Sequence, residues 1–362
     1  MAQDQPLHFI MFPLMAQGHM IPAVDMARLF AQRGVVVTIV MTPKNALLFK
    51  TTTDRAQQSN LPIRILELRF PNVEVGLPEG CENADTLPSP DSLVNFFIAT
   101  AMLREPLEKS LQEMEPRPSC IISDFGLPWT NETARKFDIP RLIFHGISCF
   151  SLFCSHNILH HKPDETESII SESETFVIPG LPDQIEITKS RLPGASHKSS
   201  TDINDIRARI NDVELTAYGV VINSFYDLEP LYIDGYQKAK QDKVWCVGPV
   251  SQFNKEVLDK FGRGIGVEIG VTDPVPWGGE DNVRVSVSKE DVEKAIYKFT
   301  CKDDEGVERR KKTMKFAKLA REAMEEGGSS YLSMTLFIND IREQQLKKTS
   351  CQKQNNVDHT CR

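Results

Sequence analysis

Apolar runs alternate with amphipathic segments at the start of the chain, and this alternation predicts the first elements. Residues 7–13 are continuously apolar, which is typical of a strand buried on both faces. Residues 20–34 place apolar side chains at helical spacing, and residues 35–41 form a run rich in β-branched side chains. This strand–helix–strand unit predicts two parallel strands joined by a right-handed crossover.

The same alternation continues as far as residue 250. The apolar runs that predict further strands are residues 62–70, 120–125, 140–146, 218–225 and 244–250, and the helical patterns are residues 92–114, 130–137, 147–161 and 204–216. Residues 1–250 are therefore predicted to form one complete doubly wound α/β domain, with helices on both faces of a parallel sheet.

The pattern changes after residue 250. One strand-like run follows at residues 264–271, and three helices are predicted at residues 288–299, 308–326 and 329–346. Each strand–helix–strand unit needs roughly 30 residues, so this part is too short for a second doubly wound domain. We therefore expect residues 251–346 to be a fragment of a domain and the polar residues 347–362 to be a disordered tail.

Net charge, apolar stretches and cysteine spacing argue against several classes of protein. The 362 residues carry a net charge of −8, which argues against a nucleic-acid-binding face. The N-terminus lacks the pattern of a signal peptide, and no stretch approaches the roughly 18 apolar residues of a membrane span. The eight cysteines are scattered without metal-ligand spacing, so we expect reduced thiols in a cytoplasmic protein.

Two polar residues follow the ends of predicted strands. His19 lies just beyond the first strand, and Asp124 ends the strand at 120–125. Taken singly, His19 could be a polar residue at a helix start and Asp124 could cap the turn that follows it. Because ligands gather at the carboxyl ends of parallel strands, the two together suggest a dyad. The carboxylate would fix the imidazole tautomer, and the other ring nitrogen could take a proton from a bound hydroxyl.

Other signatures of catalytic or binding sites are incomplete. The chain has no dinucleotide-binding glycine motif and no phosphate-binding P-loop. The stretch that starts at Gly146 begins like a nucleophile elbow but lacks its second glycine. His156 and His160 stand one helical turn apart and could share a metal, yet no third ligand is evident, so no metal is predicted. A place for His156 in a binding pocket is the better interpretation.

Four stretches carry a resemblance to a known family: residues 12–34, 121–146, 177–193 and 222–251. In order and spacing they resemble the plant small-molecule UDP-glycosyltransferases, most of all the branch that glucosylates flavonols, terpenoids and hormones. The resemblance resumes over the predicted C-terminal helices. It implies a GT-B-like fold with two facing doubly wound domains, in which the N-terminal domain holds the acceptor and the C-terminal domain holds the UDP-sugar.

The resemblance also implies roles for particular residues. His19 would be the general base that deprotonates the acceptor hydroxyl, and Asp124 would orient it. Transfer would proceed by one inverting displacement, with the UDP-sugar as co-substrate and with neither a metal nor another cofactor. Gly146 stands where some relatives have a threonine that contacts the donor. The residues expected to line the acceptor cleft are Met15, Gly18, Phe125, Gly146, Phe150 and His156.

The chain departs from the family pattern after residue 255. The family carries there the start of its donor domain and a nucleotide-sugar box with a tryptophan, a histidine beside the phosphates and an acidic–glutamine pair. About 100 residues, most of a domain, are missing here. The resemblance therefore implies a monomeric glycosyltransferase that transfers a sugar, expected to be glucose, to a hydroxyl of a small apolar metabolite. The alternative is an inactive, mis-spliced or mis-predicted form that binds acceptors or regulates a relative.

Overall fold

The computed structural model describes residues 6–161, 174–188, 201–253, 288–301 and 303–360. Seven strands in these ranges form one parallel sheet, and two more form a small antiparallel hairpin. The sheet strands are β1 (His8–Phe12), β2 (Val36–Met41), β3 (Ile63–Glu67), β4 (Cys120–Asp124), β5 (Arg141–His145), β8 (Gly219–Ile222) and β9 (Val244–Cys246), and the hairpin strands are β6 (Thr175–Val177) and β7 (Glu186–Thr188). All seven strands predicted within residues 1–250 are therefore confirmed, whereas the run at 264–271 lies outside the described residues.

The helices lie on both faces of the sheet, as the doubly wound prediction requires. In chain order they are α1 (Gln17–Gln32), α2 (Pro43–Gln58), α3 (Leu93–Met102), α4 (Arg104–Glu113), α5 (Thr130–Lys136), α6 (Cys149–His161), α7 (Thr201–Thr216), α8 (Pro230–Ala239), α9 (Lys289–Thr300), α10 (Asp304–Met324) and α11 (Ser329–Thr360). The helix predicted at 288–299 is confirmed, with Ser288 and Asp291 forming a capping box at its start. Helices α2 and α8 were not predicted.

Two predictions about helices are wrong. Residues 92–114 form two helices that meet at Leu103, because Pro106 has no N–H to donate to the carbonyl of Met102. The tail predicted to be disordered from residue 347 is helical as far as Thr360. No glycine or proline interrupts residues 329–360, and lysine and glutamine are good helix formers, so nothing in that stretch ends α11 earlier.

The strand order places a topological switch point in the middle of the sheet. The order is β3-β2-β1-β4-β5-β8-β9, so the chain builds outward in one direction from β1 and in the other from β4. These two strands pair in parallel, with Phe12 opposite Ser123 near their carboxyl ends. In an open parallel sheet, ligands bind in the crevice that opens at such a point. The fold therefore directs attention to the residues that follow β1 and β4.

The C-terminal helix completes the core of this domain. Phe337 of α11 is fully buried, and its ring centre lies 5.4 Å from those of Phe9 and Phe30 and 5.1 Å from that of Trp245. Ile338 and Ile341 belong to the same apolar cluster, together with residues of β1, α1 and β9. The last described helix is thus part of the core built by residues 6–253.

Replacing Phe337 by alanine should destabilise the domain by about 3–5 kcal/mol, because it removes a buried aromatic ring and leaves a cavity. The matched control is Leu336→Ala, whose side chain is 64% exposed, and whose loss should change stability by less than about 0.5 kcal/mol. Urea unfolding followed by circular dichroism measures both. Equal effects from the two variants would show that α11 does not share the core.

Candidate active site

His19 and Asp124 meet across the switch point. His19 is the third residue of α1, directly after β1, and Asp124 is the last residue of β4. Nδ1 of His19 lies 2.7 Å from Oδ2 of Asp124. The side chain of His19 is one-third exposed, whereas that of Asp124 is almost fully buried. Because a carboxylate can only accept, Nδ1 carries the shared proton and Nε2 is the nitrogen left to act as a base.

Asp124 serves both roles that its sequence position allows. While Oδ2 accepts from His19, Oδ1 accepts the backbone N–H of Gly126 at 2.9 Å and so caps the turn after β4. A side chain at position 126 would place its Cβ 3.3 Å from Oδ1, which is a tight contact. The two interpretations of Asp124 are therefore compatible, and the turn fixes the carboxylate that holds the imidazole.

A buried arginine supports this turn from below. Nε of Arg141 donates to the hydroxyl oxygens of Ser123 and Thr130, at 2.9 and 2.7 Å. Its Nη2 lies 3.3 Å from the carbonyl oxygen of Asp124. Burial lowers the pKa of Arg141 to about 10, partly offset by the charges of Glu214 and Asp124, so it stays protonated at neutral pH. This cation thus connects the carbonyl of Asp124 with the side chains of Ser123 and Thr130.

The environment of His19 favours its charged form. Burial lowers the pKa of the imidazole, but the hydrogen bond and charge of Asp124, together with the charge of Asp85, outweigh it and raise the pKa above 6.5. A proton that arrives at Nε2 is therefore stabilised on the ring by two carboxylates. A base of this kind needs the neutral ring to start, so its reactivity should rise with pH through that raised pKa.

Two glycines predicted to line the cleft, Gly18 and Gly146, lie close to each other at the start of α1. A Cβ built at Gly18 would meet nothing within 4 Å, and one built at Gly146 would reach only the Gly18 carbonyl and Pro22, each at 3.9 Å. Pro22 has no N–H, so the carbonyl of Gly18 lacks its usual helical donor. Neither glycine is in close contact with a neighbouring side chain on the side where its Cβ would lie.

Phe125 joins the dyad to a second polar pair that sequence reasoning missed. Its ring centre lies 5.9 Å from that of His19 and stacks on His145 at 5.3 Å. Nε2 of His145 lies 3.2 Å from Glu214 of α7. Burial raises the pKa of Glu214, but its neighbours, His145 and Lys240 foremost, outweigh this and lower it to about 2. His145 ends an apolar strand just as Asp124 does, so the same signal could have found it.

The remaining predicted cleft residues pack against other parts of the structure. Met15 is 1% exposed within the core, because the turn after β1 packs it against the loop at Ala84, so its side chain does not line an open cleft here. The ring of Phe150 packs edge-on against Tyr232 of α8. His156 contacts Tyr236 of the same helix, and burial, with nearby His160 and Lys240, lowers its pKa to about 4.

A separate cavity of about 330 Å³ lies between α8, β9 and α11, lined by residues that include Tyr226, Trp245 and Leu336. Strand β9 is the sheet edge, four strands away from β1, so this cavity is distant from His19.

Among the described residues, no group of three His, Cys, Asp or Glu side chains could hold a metal, although His156 and His160 have ring centres 4.3 Å apart. No helix of the described segments is long and apolar enough to cross a membrane.

Comparison with known proteins identifies the family. A sequence model described as "Glycosyltransferase, N-terminal domain" matches residues 5–252, which is more than half of the chain. UDP-glycosyltransferase 73C5 of Arabidopsis thaliana is 45% identical over 275 residues. The chain belongs to the plant family-1 UDP-glycosyltransferases. A second family member, UDP-glycosyltransferase 73C10 of Barbarea vulgaris, is 47% identical over 275 residues. Each alignment covers 76% of this chain and 55% of the relative, so the chain spans about half the length of these glycosyltransferases.

Solved structures of glycosyltransferases share the fold. The structure of Glycyrrhiza uralensis UGT73P12, complexed with glycyrrhetinic acid 3-O-monoglucuronide, superposes with a TM-score of 0.81 at 23% identity and covers 99% of this chain and 100% of that one. Arabidopsis thaliana UGT89C1, complexed with UDP-L-rhamnose, gives 0.61 at 21% identity over 93% and 99% of the two chains. The α/β, GT-B-like fold class expected from the sequence is confirmed.

Replacing Asp124 by asparagine should lower the pKa of His19, because burial then acts without the opposing carboxylate. The folded pKa of His19 is raised, so its contribution to stability is full below its unfolded value of about 6.5 and is lost as pH rises through the folded pKa. The parent chain should therefore exceed Asp124→Asn in free energy of unfolding by more near pH 5 than near pH 9. Proton NMR of the histidine ring signals measures the pKa directly.

His8 is the internal control for that titration. It is buried against Pro116 and Thr38, and burial lowers its pKa. Its ring signals should titrate alike in the parent chain and in Asp124→Asn. A His19 pKa that does not fall in the variant would contradict the electrostatic account of the dyad.

Proposed function

We propose that residues 1–250 are the acceptor-binding domain of a UDP-glycosyltransferase and that His19 is its general base, oriented by Asp124. The observation that carries the proposal is the 2.7 Å contact of Nδ1 with a buried carboxylate at the switch point. It leaves Nε2 as the ring nitrogen that can act as a base, on a side chain that is one-third exposed, so an acceptor hydroxyl can approach it.

The chemistry is a single displacement. Nε2 of His19 takes the proton of the acceptor hydroxyl while that oxygen attacks the anomeric carbon of the UDP-sugar. The new carbon–oxygen bond forms as the bond to the diphosphate breaks, so UDP leaves with the bonding electrons and the anomeric carbon inverts. Asp124 stabilises the imidazolium formed in this step, as the carboxylate does in other dyads and triads.

The acceptor is proposed to be a flat or polycyclic apolar molecule that bears a hydroxyl, such as a flavonol. Phe125 offers an aromatic face beside the base, and Phe150 is 36% exposed further along the same rim. Pockets that bind such molecules are mostly apolar, with a few polar groups that fix the orientation. The sugar is proposed to be glucose.

We propose further that residues 251–346 are a remnant of the donor domain, and that this chain binds acceptors without transferring sugar. The support is that the chain matches 55% of the length of its relatives and that its sequence lacks the family's nucleotide-sugar box. Transfer requires the reacting atoms to be held about 3–3.5 Å apart, and that positioning supplies much of the rate. The function proposed for this chain alone is accordingly to bind acceptors or to regulate a relative.

One experiment tests both parts of this proposal. Two proteins are compared: this chain, and a hybrid in which the donor region of a relative follows residue 252. Each is incubated with UDP-glucose and a flavonol, and the products are measured by mass spectrometry. The hybrid should form the glucoside and the chain alone should not. Within the hybrid, His19→Ala should lower the rate by about two to four orders of magnitude, and Asp124→Asn by somewhat less.

The control in the hybrid is His161→Ala, which removes an exposed imidazole at the end of α6 and should leave the rate unchanged. Glucoside formed by the chain alone would refute the missing donor function. A His19→Ala hybrid that kept more than about a tenth of the rate would refute the assignment of the base.

A further inference from the structure

A third residue, Asp85, contacts the helix that carries His19. Its Oδ2 accepts the backbone N–H of Gln17 at 2.7 Å. Gln17 is the first residue of α1, and His19 follows two positions later in the same turn. The first N–H groups of a helix have no partner within the helix, and they favour a negative charge beside them. Asp85 satisfies one of these groups at the turn that presents the imidazole.

The local sequence cannot supply this contact. The residue that precedes α1 is Ala16, which has no side-chain acceptor, and the first turn contains no acidic residue. Serine, threonine, aspartate or asparagine usually fills that position and caps the helix. Here the cap comes from a loop 68 residues away in sequence, so the position of His19 depends on that loop.

The loop that carries Asp85 is held firmly in place. The N–H of Ala84 donates to the carbonyl of Met15 at 2.7 Å, which ties the loop to the connection between β1 and α1. The buried amide of Asn83 donates to Asn45 at 3.0 Å, and its oxygen accepts the N–H of Asp85 at 2.8 Å. Both amides are at least nine-tenths buried. Asp85 therefore stands on a fixed support although its own side chain is exposed.

We propose that Asp85 is a positioning residue for His19: it fixes the first turn of α1 from outside the helix, and its charge stabilises the imidazolium formed on proton transfer. The consequence for catalysis rests on the proposed function, whereas the effect on His19 itself does not. The charged groups that act on the imidazole are Asp124 and Asp85. Asp124 is buried, whereas Asp85 is exposed to solvent. Salt should therefore screen the interaction of His19 with Asp85 much more than its interaction with Asp124.

A neighbouring residue provides a matched control. Oε2 of Glu82, three positions earlier in the same loop, accepts the backbone N–H of Lys44 at 2.9 Å in the first turn of α2. The contact is of the same kind, with a carboxylate at a helix start, but α2 does not carry His19. Glu82→Gln and Asp85→Asn therefore each remove one negative charge from the same loop. Glu82→Gln removes it from the start of α2, and Asp85→Asn removes it from the start of α1, which carries His19.

The test is a proton NMR titration of His19 in the full chain, with its ring signals assigned by their loss in His19→Gln. Asp85→Asn keeps an oxygen that can accept from Gln17 but removes the charge, so the pKa of His19 should fall. The fall should shrink at 1 M NaCl, where the Debye length is about 3 Å. Asp85→Ala removes the acceptor too, so amide exchange at Gln17 should also become faster, whereas Asp85→Asn should leave it slow.

Glu82→Gln should leave the pKa of His19 and the exchange at Gln17 unchanged. A pKa of His19 that stays at the parent value in Asp85→Asn, or that falls equally in Glu82→Gln, would overturn the proposal. The titration involves no sugar transfer, so its failure would leave the proposed function standing. Failure of the glycosyl-transfer experiment would in turn leave the titration result intact.

Discussion

The parallel pairing of β1 with β4 is the constraint on which the rest of the site depends. Their register sets Phe12 opposite Ser123, so the residues that follow each strand emerge side by side at one edge of the sheet. The first turn of α1 and the turn after β4 then bring His19 and Asp124 to 2.7 Å. A slip of one residue in either strand would turn every side chain to the other face and separate the pair.

Several layers of contacts hold this arrangement. Arg141 binds the β4 turn from the interior, Gly126 lets that turn close on Asp124, and Asp85 satisfies the start of α1 from a distant loop. In addition, Phe337 of the C-terminal helix fills the apolar core between β1, α1 and β9. The proposed base is thus placed on elements that are themselves supported, which is what precise positioning of a catalytic group requires.

Much of this architecture could be predicted from the sequence because buried parallel strands are continuous apolar runs. The same runs made His19 and Asp124 conspicuous, since each is a polar residue at the end of an apolar strand or just beyond it. Asp85 could not be found in this way, because its partner is a backbone N–H and its loop has no periodic pattern. The break at Leu103 follows from Pro106 and was predictable, whereas the burial of Met15 depends on a tertiary contact with the loop at Ala84.

The most direct test of the account is the crystal structure of this chain with a flavonol bound. We expect a hydroxyl oxygen of the ligand within about 2.6–3.2 Å of Nε2 of His19, with a ring near Phe125. A flavonol seated instead in the cavity between α8, β9 and α11, with no hydroxyl within reach of His19, would contradict it.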